Sequence, residues 1–95
     1  MWKRSYDNGA ILYLVPTPIG NMEDITFRSL RILKEVDVVF SEDTRVTQNL
    51  FNYFEIKKKL VALHDHNENI VKEEVLSYLE QGCNVAIVTD RGTPI

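Results

Sequence analysis

The feature that most constrains the fold is a short apolar run that leads into a loop rich in proline and glycine. Residues 11–15 read Ile-Leu-Tyr-Leu-Val, and an unbroken apolar run this short is typical of a strand buried on both faces. Pro16 and Pro18 cannot donate to a sheet ladder, so the strand should stop there. Gly20 then permits a turn that a side chain would hinder.

A buried strand that passes through such a loop into a helix places the loop at the carboxyl edge of a parallel sheet. Open α/β sheets bind their ligands at that edge, which makes residues 16–21 the first candidate site. A rigid strand-to-helix turn without a ligand explains the same loop equally well.

The rest of the chain repeats the order of apolar strand, polar cluster and amphipathic helix. Strands are predicted at 11–15, 36–40, 60–63 and 84–89. Helices are predicted after Asp24 as N-cap, at 45–54, and at 69–81 before Gly82 as C-cap. Their apolar positions are Phe27, Leu30, Ile32, Leu33, Val36, Val46, Leu50, Phe51, Phe54, Ile70, Val71, Val75, Leu76 and Leu79. The alternation predicts an α/β fold, a parallel sheet with crossover helices.

Four polar clusters should meet at one edge of this sheet, because right-handed crossovers bring the carboxyl ends of parallel strands together. They cover residues 16–21, 41–45, 64–68 and 90–94. A purely structural sheet has no need to concentrate Glu, Asp, His, Arg and Thr at this edge. The convergence of the clusters therefore favours a functional site there.

The cluster over 41–45 has two interpretations. Glu42, Asp43 and Arg45 could orient a substrate. They could equally form a helix N-terminus, where acidic residues offset the macrodipole and Asp43 or Thr44 is the cap. Both can hold together.

The cluster over 64–68 contains His64 and His66, which point the same way in an extended segment. Two metal ligands are geometrically possible, but no Cys₂His₂ or HExxH spacing supports a metal site. Polar residues that line a substrate cleft are the favoured interpretation, with no metal. In the last cluster, backbone amides around Gly92 could cradle a ligand, although neither a P-loop nor a GxGxxG pattern is present.

Composition narrows the class of protein. Of 95 residues, 44% are apolar and 26% charged, and no run approaches the length of a membrane span or a signal peptide. We expect a cytoplasmic protein without a membrane partner. Cys83 is the only cysteine, which excludes an internal disulfide, and we interpret it as an ordinary small apolar residue. The net charge of -3 argues against tight nucleic-acid binding by this chain alone.

The predicted organisation is a flexible lead-in over residues 1–9 and an α/β domain over residues 10–95. The last strand is followed by only a few residues, where a complete α/β unit should have a covering helix. We therefore expect a truncated domain with one face of the sheet open, a second domain absent and a tendency to self-associate.

Several motifs together resemble one family. Residues 14–21 read Leu-Val-Pro-Thr-Pro-Ile-Gly-Asn, followed by Asp24-Ile25-Thr26. Ser-Glu-Asp-Thr-Arg at 41–45, Leu-His-Asp-His-Asn-Glu at 63–68 and Gly-Thr-Pro at 92–94 follow in order. From about Leu12 onward the chain resembles the bacterial ribosomal small subunit methyltransferase I group of the tetrapyrrole methylase superfamily.

The resemblance implies the amino-terminal domain of a two-domain enzyme that uses S-adenosylmethionine to methylate the ribose 2′-OH of a cytidine in small-subunit ribosomal RNA. It also implies a homodimer. The residues implied to border the cofactor are Pro18, Ile19, Gly20, Asp90, Gly92, Thr93 and Pro94. The implied substrate-side residues are Thr44, Arg45, His66 and Asn67, and the candidates for the catalytic base are Glu42, Asp43 and His64. The family usually has Ala where this chain has Arg91, a long cation that either reshapes the cofactor turn or points outward.

Two alternatives stay open at this stage. A tetrapyrrole or corrin methyltransferase would share the fold, and a small α/β binding module without catalysis would share the composition. The 63–68 segment favours the RNA branch.

Overall fold

The computed structural model describes residues 2–5, 9–18, 21–63 and 68–89. In chain order the elements are β1 (Trp2–Ser5), β2 (Ile11–Pro16), a short 3-10 helix (Met22–Asp24), α1 (Phe27–Glu35), β3 (Val38–Ser41), α2 (Thr44–Tyr53), β4 (Lys59–Ala62), α3 (Glu68–Glu80) and β5 (Val85–Thr89). One five-stranded sheet has the order β1-β2-β5-β3-β4. The four strands from β2 to β4 in that order pair in parallel, and β1 pairs antiparallel at one edge. The predicted α/β fold with a parallel sheet and crossover helices is confirmed.

Helices cover both faces of the sheet and enclose two cores. The first core lies under α1 and α2 and consists of Val15, Ile32, Leu33, Val36, Val39, Leu50, Phe51, Ile56, Ala86 and Val88. The second lies under α3 and consists of Ala10, Val38, Phe40, Val75, Leu79 and Val85. Because consecutive residues of a strand point to opposite faces, β3 and β5 supply both cores and hold the two layers together.

The prediction of an open face beside the last strand is wrong for the described residues. β5 is the central strand, with β2 on one side and β3 on the other. Val85 and Ala86 are fully buried and Val88 nearly so, while Ile87 is half-buried. The helix that covers β5 is α3, which precedes it in the chain, so no following helix is needed.

The prediction of a flexible lead-in over residues 1–9 is wrong for Trp2–Ser5, which form β1 opposite Ile11 to Leu14. Lys3 and Arg4 are exposed, and charged residues are common on edge strands because they discourage further pairing. Such a strand lacks the apolar alternation by which a sequence reveals a half-buried strand. Gly9, which lies between β1 and β2, has a φ of 87°, a backbone conformation that favours glycine.

Pro16 belongs to β2, contrary to the prediction that the strand stops before it. It pairs with Thr89, and the next residue, Thr17, donates its N–H to the carbonyl of Thr89 at 2.9 Å. Neighbouring residues of a strand direct their N–H groups to opposite sides, so the N–H that Pro16 lacks would face the β1 side. There the last described pair is Trp2 with Leu14, so no described residue of β1 loses a hydrogen bond to Pro16.

The first helix begins later than predicted, because Asp24 is not its cap. Asn21 caps the 3-10 helix, and the Thr26 hydroxyl accepts the Ser29 N–H at the start of α1. Phe27 is therefore the first residue of α1 and is 93% exposed. Three other positions predicted to be apolar helix faces also lie toward solvent, namely Val46, Ile70 and Leu76. They flank the buried stripes that Leu50, Phe51, Val75 and Leu79 form.

The end of α3 follows the prediction. Gly82 has a φ of 86°, and its N–H donates to the carbonyl of Leu79 at 3.0 Å. A side chain there would be strained by the backbone even though no neighbour would touch its Cβ. Cys83 is half-buried, as an ordinary small apolar residue would be. Within the described parts of the chain no helix is long and apolar enough to cross a membrane.

Candidate functional site

The carboxyl ends of the parallel strands lie at one edge of the sheet. Pro16 pairs with Thr89, and Ser41 pairs with Val88 on one side and Ala62 on the other. This register confirms that the loop after β2 and the turn after β3 share an edge. The remaining predicted residues of this edge lie outside the described residues, namely Ile19, Gly20, His64, His66, Asn67, Asp90, Gly92, Thr93 and Pro94.

A buried serine organises the turn between β3 and α2. The Oγ of Ser41 accepts the Asp43 N–H at 3.1 Å and donates to the Asp43 carbonyl at 3.0 Å. It lies 2.6 Å from Oγ1 of Thr47. A hydroxyl has one proton to donate, so Thr47 donates to Ser41 when Ser41 donates to Asp43. Glu42 is the middle residue of the turn that these bonds close.

Asp43 is the N-cap of α2, one of the two residues predicted for that position. Its Oδ1 accepts the N–H groups of Arg45 at 3.1 Å and Val46 at 3.2 Å. These donors would otherwise lack a partner at the start of a helix. The Asp43 carboxylate forms the cap of α2, and the neighbouring residue Glu42 is exposed.

Beside this turn lies a groove of about 290 Å³. One wall is the loop after β2 and the 3-10 helix, and the other is the first half of α2. Its lining residues are Thr17, Pro18, Met22, Val46, Thr47, Asn49 and Leu50. A small crevice next to it is lined by Thr17, Ser41, Glu42, Asp43, Val46, Thr47 and Val88. Because Thr17, Val46 and Thr47 line both, the groove and the Glu42–Asp43 turn form one continuous site.

Of the predicted site residues that the structure describes, all lie at this edge. Pro18 is half-buried in the groove wall, Thr44 is half-buried at the start of α2, and Arg45 is exposed beside it. Thr17 lies within the predicted 16–21 cluster, although no role was assigned to it, whereas Thr47 and Asn49 were not predicted. Thr47 lies one helical turn after Asp43, and that spacing was the available signal.

An exposed tyrosine links α2 to the 3-10 helix. The hydroxyl of Tyr53, at the end of α2, donates to Oε1 of Glu23 in the 3-10 helix at 3.0 Å. The hydrogen bond to Glu23 and the negative charge of that carboxylate raise the pKa of Tyr53 above its ordinary value. The contact joins the two elements that form the walls of the groove, through residues that are 30 positions apart in the sequence.

Comparison with known proteins identifies the family. The family of tetrapyrrole (corrin/porphyrin) methylases matches residues 11–95. The chain is 52% identical over 84 residues to the ribosomal RNA small subunit methyltransferase I of Escherichia coli O157:H7, covering 88% of this chain and 29% of that protein. It is 49% identical over 84 residues to the protein of the same name from Bacillus subtilis strain 168, with the same two shares.

A third relative of that name, from Micromonospora olivasterospora, is 54% identical over 84 residues, with 88% of this chain and 27% of the relative covered. The chain thus spans less than a third of the length of these relatives. The resemblance to the ribosomal small subunit methyltransferase I group is confirmed over most of the chain, and the match over residues 11–95 shows that the chain belongs to the tetrapyrrole methylase family.

Proposed function

We propose that this chain forms the amino-terminal part of an S-adenosylmethionine-dependent methyltransferase that acts on small-subunit ribosomal RNA. The observation that carries the proposal is the groove between the loop after β2 and α2, with the Glu42 carboxylate beside it. The names of the relatives point to ribosomal RNA as the substrate. The proposed acceptor is the ribose 2′-OH of a cytidine.

The residues present fit a methyl donor of this kind. The groove offers apolar side chains, from Pro18, Met22 and Leu50, next to the hydrogen-bonding side chains of Thr17 and Asn49. A ligand with an apolar part and several hydrogen-bonding groups requires that mixture. S-adenosylmethionine supplies an electrophilic methyl group on a sulfonium centre. In our proposal Pro18 borders it, together with Ile19, Gly20, Asp90, Gly92, Thr93 and Pro94.

The acceptor hydroxyl needs a base, because it is a poor nucleophile until its proton is removed during attack. Among Glu42, Asp43 and His64 we favour Glu42. The Asp43 carboxylate is held by two backbone N–H groups of α2, which reduces its freedom to accept a further proton. Glu42 is exposed and adjoins the groove through the shared crevice. Positioning supplies much of the rate in such a transfer, and we assign that task to Thr44, Arg45, His66 and Asn67.

The net charge of -3 argues against a strong grip on RNA phosphates by this chain alone. We therefore propose that the surface that binds RNA also includes a second domain and the second subunit of a homodimer. Sedimentation of the complete enzyme tests the dimer.

A chimaera tests the proposed function. This chain replaces the matching segment of the Escherichia coli relative, to which it is 52% identical. With small ribosomal subunits and labelled S-adenosylmethionine, we expect methylation that nuclease digestion locates on a ribose. A folded chimaera that methylates only a base would refute the 2′-OH assignment, and one that methylates no RNA would refute the function.

Two variants of the same chimaera test the base. Glu42→Gln should lower kcat by at least about 100-fold, the usual contribution of a positioned general base. The matched control is Glu73→Gln, which changes another exposed glutamate, on α3 and away from the groove. Equal activity of both variants would remove Glu42 from the mechanism.

The family description favours one other function, methylation of a tetrapyrrole or corrin. The same chimaera, offered a corrin precursor in place of ribosomal subunits, discriminates between the two. Our account predicts no methyl transfer to the macrocycle.

A further inference from the structure

The structure contains a buried hydroxyl pair that no motif predicted. Ser41 and Thr47 are each 2% exposed, and their oxygens lie 2.6 Å apart. Ser41 follows Val38, Val39 and Phe40 in a strand whose four residues are all buried. A hydroxyl in such a place costs free energy unless it is hydrogen-bonded, and an apolar side chain would satisfy packing alone.

We propose that Ser41 and Thr47 are positioning residues, which fix the Glu42–Asp43 turn against the groove. This inference rests on the proposed function, because it assigns the pair a role in catalysis through Glu42. Neither residue is proposed to touch the substrate.

Both polar backbone groups of Asp43, the residue after Glu42, are hydrogen-bonded. Asp43 donates its N–H to Ser41, and its carbonyl accepts from the Ser41 hydroxyl at 3.0 Å and from the Thr47 N–H at 3.1 Å. Glu42 therefore lies between two residues whose backbones are fixed relative to each other.

Ser41 also connects this turn to the next strand. Its carbonyl accepts the N–H of Leu63 at 2.8 Å, and Leu63 directly precedes His64 in the sequence. The side chain of Ser41 thus restrains the turn that contains Glu42, and its main chain holds Leu63 at the end of β4. A displacement of a catalytic group by about 1 Å can lower the reaction rate by two orders of magnitude.

A matched pair of hydroxyls elsewhere provides the control. Thr26 donates to Oγ of Ser29 at 2.9 Å, and Ser29 is also 2% exposed. This second pair starts α1 and does not line the groove or the crevice. Removing either pair should weaken folding, but only the Ser41–Thr47 pair should affect Glu42.

The test uses Thr47→Val, Thr47→Ser, Ser41→Ala and Ser29→Ala in the chimaera. Valine keeps the shape of threonine without its hydroxyl, and serine keeps the hydroxyl. We expect Thr47→Val and Ser41→Ala to lower kcat at least about tenfold with KM changed less than about twofold, because ground-state binding is untouched. Thr47→Ser should retain kcat. Ser29→Ala should lower Tm like the others and leave kcat unchanged.

Equal kcat values for Thr47→Val and Ser29→Ala, at matched Tm, would overturn the proposal and reduce the pair to a structural role. If the unaltered chimaera methylates no RNA, the proposed function fails, and the pair is judged on this chain itself by hydrogen exchange. The Asp43 amide should then exchange at least about tenfold faster in Ser41→Ala than in Ser29→Ala. Equal exchange rates would overturn the positioning role as well.

Discussion

The edge of the sheet at the amino ends of the parallel strands and the edge at their carboxyl ends use hydrogen-bonding side chains in opposite ways. At the amino edge, Oδ1 of Asn84 accepts the Ile11 N–H at 2.9 Å, and the Asn84 N–H donates to Oδ2 of Asp37 at 2.8 Å. We call this set the amino-edge clip. At the carboxyl edge, Ser41 and Asp43 bond to backbone groups of their own turn.

The separation in sequence distinguishes the two arrangements. The clip joins residues 73 and 47 positions apart, so it aligns the starts of β2, β5 and β3. The bonds around Ser41 join residues 2 and 6 positions apart and shape one local turn. We infer that the amino edge serves the assembly of the sheet, whereas the carboxyl edge serves the placement of reactive groups.

Thr17 is the exception at the carboxyl edge. Both its N–H, at 2.9 Å, and its hydroxyl, at 3.3 Å, donate to the carbonyl of Thr89, 72 residues later in the chain. It fixes the last pair of β2 and β5 and also lines the groove. One wall of the site is thus held by long-range contacts and the other by local ones.

Removing the clip should produce the largest change in stability. In the variant with Asn84→Ala and Asp37→Ala, two backbone N–H groups lose their partners, and we expect the free energy of unfolding to fall by about 2 to 3 kcal/mol. Urea unfolding of the chain measures this loss. The control is Gln48→Ala, which removes an exposed side-chain bond to Asn52 and should change stability by less than about 0.5 kcal/mol. Equal effects would mean that the clip does not support the sheet.

The N-cap of α2 should contribute less to stability than the amino-edge clip. Two substitutions of Asp43 separate its role as a cap from the effect of its charge. Asp43→Ala should lower the free energy of unfolding by about 1 kcal/mol, whereas Asp43→Asn should retain it, because asparagine caps as well as aspartate. In the chimaera Asp43→Asn should therefore keep most of its activity. A large loss of kcat in Asp43→Asn at unchanged stability would assign the base to Asp43 in place of Glu42.

The hydrogen bond between Tyr53 and Glu23 should make the smallest contribution to stability. This hydrogen bond raises the pKa of Tyr53 above 10.0 in the folded chain. A raised pKa means that the stabilisation is complete below pH 10 and disappears as the pH rises through the folded-state pKa. Glu23→Gln should move the Tyr53 titration, followed by NMR, back toward 10.0. A titration that does not move would show that the hydrogen bond is not formed in solution.

The sequence revealed the carboxyl edge better than the amino edge for a physical reason. Polar residues that directly follow an apolar strand are visible as a cluster, and Asp43 was predictable as a cap because capping is local. The clip was not predictable, since nothing local links Asp37 to a residue 47 positions away. Asn84 comes close to Asp37 only when β3 and β5 pair in the sheet.

Local signals also explain the errors at the helix starts. Asp24 and Thr26 are both acceptable caps; with Thr26 as the cap, Phe27 is the first residue of α1 and is exposed, while Ile32 and Leu33 are buried as predicted. The strand β1 was missed because edge pairing requires no apolar pattern. For the hydroxyl pair of Ser41 and Thr47 the only local signal was the spacing of Thr47 after Asp43, and the bond itself forms only when α2 packs on the sheet.

Measurements of kcat and of the free energy of unfolding on two variants of one chimaera decide whether the two edges of the sheet have separate tasks. We predict that Glu42→Gln lowers kcat at least about 100-fold at unchanged stability. Asn84→Ala should lower stability by about 1 to 2 kcal/mol at unchanged kcat per folded molecule. An Asn84→Ala chimaera that is folded and stable yet loses kcat as Glu42→Gln does would contradict the account.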